Sequence, residues 1–499
     1  MRKNIFLEKV ILLGFGGVLF VLFCTVSIAW PLFFFSQLKE QLVLTNQSKS
    51  YTLWKDTPIP MYLEIYMFNW TNPEETLKKG KTPHFVEMGP YVFSETHKKV
   101  DVNWNDDNET VTFKQIRQWK FIPGLSNGKL DDEVTNVNVV ALTIANMVKK
   151  YIDSKTIEIP VDKLFSFYEK KVYIKKPVRK LLFDGYSDEL LNIAEKLKHI
   201  IKVKIPFDKF GWFYSRNNSA DYDGVFSINT GMDCLYRLGL LEDWNYNTHT
   251  DIYSGICGQV SGTLGELWPY DASKKEEIEI FANDICSSIK LKRNSTQTIQ
   301  GVEGILFEGD ETVFDNGQIV RENACYCSNS NFACPPPGTR DISTCRYGAP
   351  AFISYPHFYL GDKYYHKAVS GMKPDPQKHK FYIVLDKTMS IPLEVHARLQ
   401  INILTENSFG LKFFEDLPTA YMPMIWFNQK AVITPTLSSQ IKSISFFDDN
   451  LEYIFIGLAL FGLILTLLGI FLWGRRVYIQ EPSPSTSLLC NSDSTENIS

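Results

Sequence analysis

Two long uncharged runs bracket a chain whose middle alternates short apolar and polar stretches. From Val10 to Phe35 the sequence reads VILLGFGGVLFVLFCTVSIAWPLFFF without a charged residue. As a helix it would extend roughly 39 Å against a hydrocarbon core of about 30 Å. The run YIFIGLALFGLILTLLGIFLW, Tyr453 to Trp473, is also free of charge and ends in a tryptophan suited to a membrane interface. Both runs predict membrane spans. A cleaved secretory signal is the competing reading of the first run. Such a signal has an apolar region of about 7 to 15 residues ahead of a small-residue cleavage site, and this run shows neither.

Between the runs the periodicity is mixed. MYLEIYMF, VTFKQIRQW and HARLQINIL alternate or are dense in β-branched and aromatic residues, which predicts strands half buried on a sheet. Val137, Val140, Ala141, Ile144 and Val148 recur at helical spacing and predict a helix over 137–151. Leu190, Ile193, Ala194 and Leu197 predict another over 188–200. A third helix is expected from the capping box Ser273 to Glu276, with Ile278, Phe281, Ile285 and Ile289 on one face and Cys286 riding on it. The fold class is therefore α+β. No internal repeat interrupts the outer segment, and the tail EPSPSTSLLCNSDSTENIS is too polar to fold alone.

Charge decides the orientation. Arg2, Lys3 and Lys9 precede the first span, Arg475 and Arg476 follow the second, and Asp448, Asp449 and Glu452 lie before it. The positive-inside tendency then places both termini in the cytoplasm. The expected organisation is a cytoplasmic stretch 1–9, a span 10–35, an extracellular or lumenal domain 36–450, a span 453–473 and a cytoplasmic tail 474–499. Five glycosylation sequons, at Asn46, Asn69, Asn108, Asn217 and Asn294, all fall in the outer segment. A further NIS at Asn497 lies in the tail, where no glycan is expected. The formal net charge of -4 supplies no global attraction to nucleic acid or anionic lipid, so charge-driven binding requires a local patch.

Seven of the nine cysteines lie in the outer segment: Cys234, Cys257, Cys286, Cys325, Cys327, Cys334 and Cys345. An oxidising compartment favours disulfides over zinc, and the CYC pair with its irregular following gaps lacks zinc-ligand spacing. The residues alone leave about 105 pairings open. Catalytic motifs are missing: no HExxH, GxSxG, P-loop, EF-hand loop or GxGxxG after a strand occurs. His357 sits among apolar residues and reads as a hydrogen-bonded structural histidine. Asp221 and Asp223 in ADYDG read as a turn beside Gly224. The chain is not expected to be an enzyme or to hold a cofactor or metal.

One basic stretch stands out, FYEKKVYIKKPVRKLL, with Lys170, Lys171, Lys175, Lys176, Arg179 and Lys180 offset in sequence only by Glu169. The bland reading is a solvated face that keeps the protein soluble. The sharper one is a site for anionic ligands. Nucleic acid is excluded as a partner by the compartment and by the lack of a recognition module.

The two terminal spans, PIPMYLEIYMFNWTNPEE, VEMGPYVFSE, FANDICSSIK and CYC with RDISTCRYGAPAFISYPHF together resemble the class B scavenger receptor family. That family includes the fatty-acid translocase, the lysosomal integral membrane protein and croquemort, and PIPMYLEIYMFNWTN looks most like the croquemort branch. The resemblance implies an irregular antiparallel β-barrel with an apical helical bundle and an apolar tunnel running toward the bilayer. It implies pairs Cys257 with Cys325, Cys286 with Cys345 and Cys327 with Cys334. Cys234 is left without a counterpart, as an expected buried thiol. It also implies that the basic stretch receives anionic ligands.

The expected protein is a plasma-membrane scavenger and lipid receptor. Its expected partners are lipids, fatty acids, modified lipoproteins and apoptotic cell surfaces, with homo-oligomers as a further possibility. A sensory neuron membrane protein and a lysosomal receptor are the alternatives. The lysosomal one is disfavoured because Glu481 lies too far upstream of Leu488 and Leu489 to complete an acidic dileucine signal. Cys490 lies too far beyond Trp473 to resemble the family's acylated cysteines.

Overall fold

The computed structural model describes residues 2–151, 171–196, 208–327, 332–407 and 414–479. Lys39–Lys442 forms one compact unit, and the parts of the two terminal helices outside it belong to another. Those helices, Arg2–Leu42 and Pro435–Ile479, each contain a stretch long and apolar enough to cross a membrane. They approach closely where side chains are smallest. A Cβ added at Gly16 would meet the Thr466 backbone nitrogen at 2.7 Å, and one at Gly462 would meet that of Phe20 at 2.6 Å. Close approach through small residues is how helices pack where lipid removes the hydrophobic drive.

The large unit is built on strands β1 (Met61–Trp70), β2 (Phe85–Asn105), β3 (Thr110–Phe121), β4 (Glu133–Val137) and β5 (Tyr173–Pro177). There follow β6 (Val225–Asn229), β7 (Leu241–Trp244), β8 (Glu277–Ala282), β9 (Ser287–Ile299) and β10 (Val302–Glu308). The last five are β11 (Thr339–Asp341), β12 (Ala351–Ser354), β13 (Tyr382–Asp386), β14 (Pro392–Thr405) and β15 (Ala420–Val432). The expected strands MYLEIYMF, VTFKQIRQW and HARLQINIL lie within β1, β3 and β14. The main sheet runs β7-β6-β3-β2-β1-β15-β14-β13-β10-β9-β8, with β12 and β11 branching from β14. Its named pairings are antiparallel, and the sheet is a nearly closed barrel.

Closure is made by a connector rather than by a direct strand pair. Leu241 at one edge donates its N–H to Gly262 O, while Thr263 and Glu279 at the other edge bond at 3.0 Å and Phe281 bonds back to Thr263 at 2.8 Å. Gly262 has φ +88°, and a Cβ there would meet Glu279 O at 2.5 Å, so only glycine lets the connector sit against β8. The stitch removes two open edges that would otherwise invite pairing with other chains.

The helix Val139–Tyr151 falls within the expected 137–151, and the helix Glu189–Lys196 within 188–200. The expected third helix is wrong. Ala272–Lys274 is a single 3-10 turn, followed by the antiparallel pair β8 and β9. Ser273 does not cap: its N–H donates to Ser390 Oγ and its hydroxyl to Lys387 O. The stretch EIEIFA buries Ile278 and Ile280 while leaving Glu277 exposed, the period of a strand. Cys286 lies in the turn at φ +51° rather than on a helix.

Candidate functional site

Inside the barrel lies a cavity of about 140 Å³. Strands bring one apolar wall: Leu399, Ile401 and Ile403 from β14, with Ile353 from β12, all on the inward parity of the pleat. The helix Val139–Tyr151 brings Val140 and Ile144 from another side. Its start is held by Asn138, whose Oδ1 accepts from Ala141 N at 3.1 Å.

Another part of the lining is charged. Arg216 donates to both oxygens of Asp284, at 2.7 and 3.1 Å, and to Asp223 Oδ1 at 3.0 Å. Arg117 lies 2.9 Å from the other Asp223 oxygen, and Arg346 reaches Asp284 from a third direction. Burial alone would raise Asp284, but the guanidinium charges of Arg216, Arg117 and Arg346 outweigh it and hold the carboxyl well below its usual range. Burial likewise opposes the charge on Arg216, and its two carboxylate partners overcome that too. The ADYDG stretch is therefore more than a turn. Asp221 sits on the exposed surface with Lys114 at 2.7 Å, while Asp223 is buried in this cluster.

A second charged string runs along the inward face of β2. Glu95 Oε1 meets His97 Nε2 at 2.7 Å, His97 Nδ1 meets Glu266 at 2.9 Å, and Lys99 bonds Glu266 at 2.7 Å. Lys99 is wholly buried, and burial pushes its amine down against the pull of Glu266. Arg117, Arg216, Asp284, Glu95, His97 and Lys99 were all missed in the sequence reading. A signal was there: in FSETHKK the residues Glu95, His97 and Lys99 share the parity of the core residues Tyr91 and Phe93. His357 is buried, as expected of a structural histidine. It bonds Glu87 at 2.6 Å and accepts from Lys373 N at 3.1 Å.

The basic stretch looks different in three dimensions. Lys170 lies outside the described residues. Lys175 and Lys176 sit on β5, paired with β4, and Arg179 and Lys180 on the short helix Val178–Leu182. Glu169 is not the only offset. Lys175 pairs with Glu133 at 2.5 Å, Arg179 with Asp131 at 2.7 Å and Lys180 with Asp184 at 3.8 Å. Lys171 and Lys176 instead rest over the rings of Tyr173 and Tyr186. Pairing with β4 brings carboxylates that are distant in sequence, which the linear stretch could not reveal.

Three disulfides are formed: Cys257 with Cys325, Cys286 with Cys345 and Cys327 with Cys334. Cys234 is free but half-buried rather than buried. Cys490 lies outside the described residues, and among those described no group of histidine, cysteine and carboxylate side chains could hold a metal. Of the sequon asparagines, Asn46, Asn108, Asn217 and Asn294 are exposed. Asn69 is half-buried at the end of β1 and accepts from Thr135 N at 2.8 Å.

Comparison with known proteins adds an independent view. The sequence profile of the CD36 family matches residues 13–473. Protein peste of Drosophila melanogaster is 33% identical over 403 residues, covering 81% of this chain and 71% of that protein. Scavenger receptor class B member 1 of Mus musculus is 29% identical over 425 residues, covering 84% and 80% respectively. Lysosome membrane protein 2 of Mus musculus is 28% identical over 437 residues, covering 86% and 88%.

Proposed function

The chain belongs to the CD36 family, and on that premise we propose that it is a cell-surface receptor that captures lipid-bearing particles and passes single lipids through its barrel. The family supports a scavenger or lipid receptor role, and the two terminal helices support a membrane location. The cavity between β14 and the helix Val139–Tyr151 carries the finer reading. Its apolar wall can shelter a hydrocarbon chain from water at about 0.8 kcal/mol per methylene. The ligands are fatty acids, modified lipoproteins and the surfaces of apoptotic cells, with uptake or phagocytosis as the outcome. Both termini face the cytoplasm, and residues 36–450 face outward. Similarity to lysosome membrane protein 2 favours a lysosomal membrane as the second reading.

Filling the cavity tests this. Val140→Phe places a ring in the cavity from the helical side, so cells expressing the full-length variant should take up fluorescent fatty acid no faster than untransfected cells. Capture of lipid vesicles should be unchanged. Wild-type uptake by a variant that reaches the surface normally would overturn the proposal.

A further inference from the structure

The segment 371–380 packs on the face of β14 and β15 that points away from the cavity. Its short helix Pro376–His379 buries His379 and leaves Gln377 and Lys378 exposed. Arg398, of opposite parity to the cavity residues Leu399 and Ile401, donates to Gln377 O at 3.3 Å and to Lys380 O at 2.8 Å. The His379 ring meets Trp426 edge-on at 5.5 Å and stacks on His357 with 4.5 Å between ring centroids. Trp426 in turn stacks on Tyr66 at 3.9 Å.

Both histidines hold the segment by accepting from its backbone. His357 Nδ1 accepts from Lys373 N at 3.1 Å, and His379 Nδ1 accepts from Asp375 N at 2.9 Å. A ring nitrogen accepts only while it carries no proton, so both imidazoles are neutral in this arrangement. A proton added at either Nδ1 removes the acceptor and sets two N–H donors against each other. We propose that His357 and His379 form an acid-operated latch, which holds 371–380 against the barrel at neutral pH and on protonation releases it, uncovering Trp426 and Tyr66. The backbone at His357 fits a switch. His357 and Phe358 both hold φ +54°, a left-handed conformation rare for side chains of this size, and Gln400 Oε1 fixes it by accepting from His357 N at 2.6 Å. Strain of this kind concentrates at sites that change state.

The groups around the pair set the direction of the response. Glu87 on β2, which accepts from His357 Nε2 at 2.6 Å, and Asp375 in the segment favour a cation at His379. Burial opposes it most strongly, and His357 and Arg398 add to that, bringing His379 from 6.5 to about 4. Asp375 is shared with Lys378 at 3.9 Å, and His396 on β14 is engaged by Arg398 and Glu394. Between those two values the released segment takes a proton that the docked one refuses, so docking weakens as pH falls through the window. Two protons on the stacked rings would also place like charges face to face.

The latch goes beyond the lipid-receptor reading and does not depend on it. The test is hydrogen–deuterium exchange on full-length protein in nanodiscs at about pH 7 and about pH 4.5, with labelling times scaled to the intrinsic exchange rate. Peptides covering 371–380 should lose protection by at least about tenfold at the lower pH, the scale set by titration two units below the free imidazole value. Peptides from β1 and β15 should keep theirs. His379→Asn puts an amide oxygen that does not titrate where Nδ1 accepted, and should cut the loss to about twofold. A folded His379→Asn variant that opens as wild type does overturns the latch. The wild type decides by itself if that variant does not fold: 371–380 equally protected at both pH values, or losing protection only in step with the whole barrel, also overturns it.

Discussion

Arg216 and Asp223 form a buried ion pair at 3.0 Å inside the barrel, while Asp221, two residues earlier, meets Lys114 on the exposed surface. Both carboxylates come from one short stretch, yet their energetic weights differ. Removing one partner of a buried pair strands the other charge at a cost of about 3–5 kcal/mol, whereas exposed pairs are worth about 0–1 kcal/mol. Asp223→Asn should therefore lower the unfolding midpoint sharply and reduce surface delivery, while Asp221→Asn should leave both nearly unchanged. Thermal unfolding of the two purified variants measures this. Equal effects would mean that the cluster does not support the barrel.

Stability should also fall in two steps as pH drops. Burial, with His357 stacked beside it, pushes His379 from 6.5 down to about 4. Between those values the unfolded chain binds a proton that the folded chain refuses, so stability declines across this window as pH falls. Burial would raise Glu266, but Lys99 and His97 overcome it and bring the carboxyl from 4.5 to about 2. The second decline therefore runs from about 4.5 to about 2, again because the unfolded state takes the proton first. Scanning Tm against pH should show both phases, and His379→Asn should remove the upper one alone.

Charge reversal on the basic stretch should act unevenly. Lys171 and Lys176 lie over tyrosine rings, whereas Lys175 is matched by Glu133. A Lys171→Glu, Lys176→Glu variant should lose most binding of phosphatidylserine vesicles, and wild-type binding should weaken with salt, since exposed charges are screened beyond about 8 Å at physiological ionic strength. Lys175→Ala should matter little. If the double variant reaches the surface and binds vesicles like wild type, the stretch is a solvated face.

Glycan occupancy should follow exposure. Asn108 sits in an open turn, whereas the Asn69 side chain is half-buried and accepts the Thr135 N–H. Asn108→Gln should lower the apparent mass by one glycan step, and Asn69→Gln should not change it. Mass analysis with and without glycosidase decides the point.

What the sequence determined by itself was local. The two uncharged runs, the strands of β1, β3 and β14 and the helix within 137–151 follow from hydropathy and period, properties that neighbouring residues express without knowing the fold. Tertiary structure decided the rest. The stretch from Ser273 to Ile289 has apolar residues that satisfy helical spacing, but β9 was available to pair with β8, and the gain from that ladder is invisible in the stretch itself. Glu133 reached Lys175, and Asp284 reached Arg216, only because distant segments met in space. The charged wall of the cavity was hardest to foresee. Charged residues on the inward face of a strand cost free energy unless the whole barrel supplies their partners, and those partners exist only once the chain has closed.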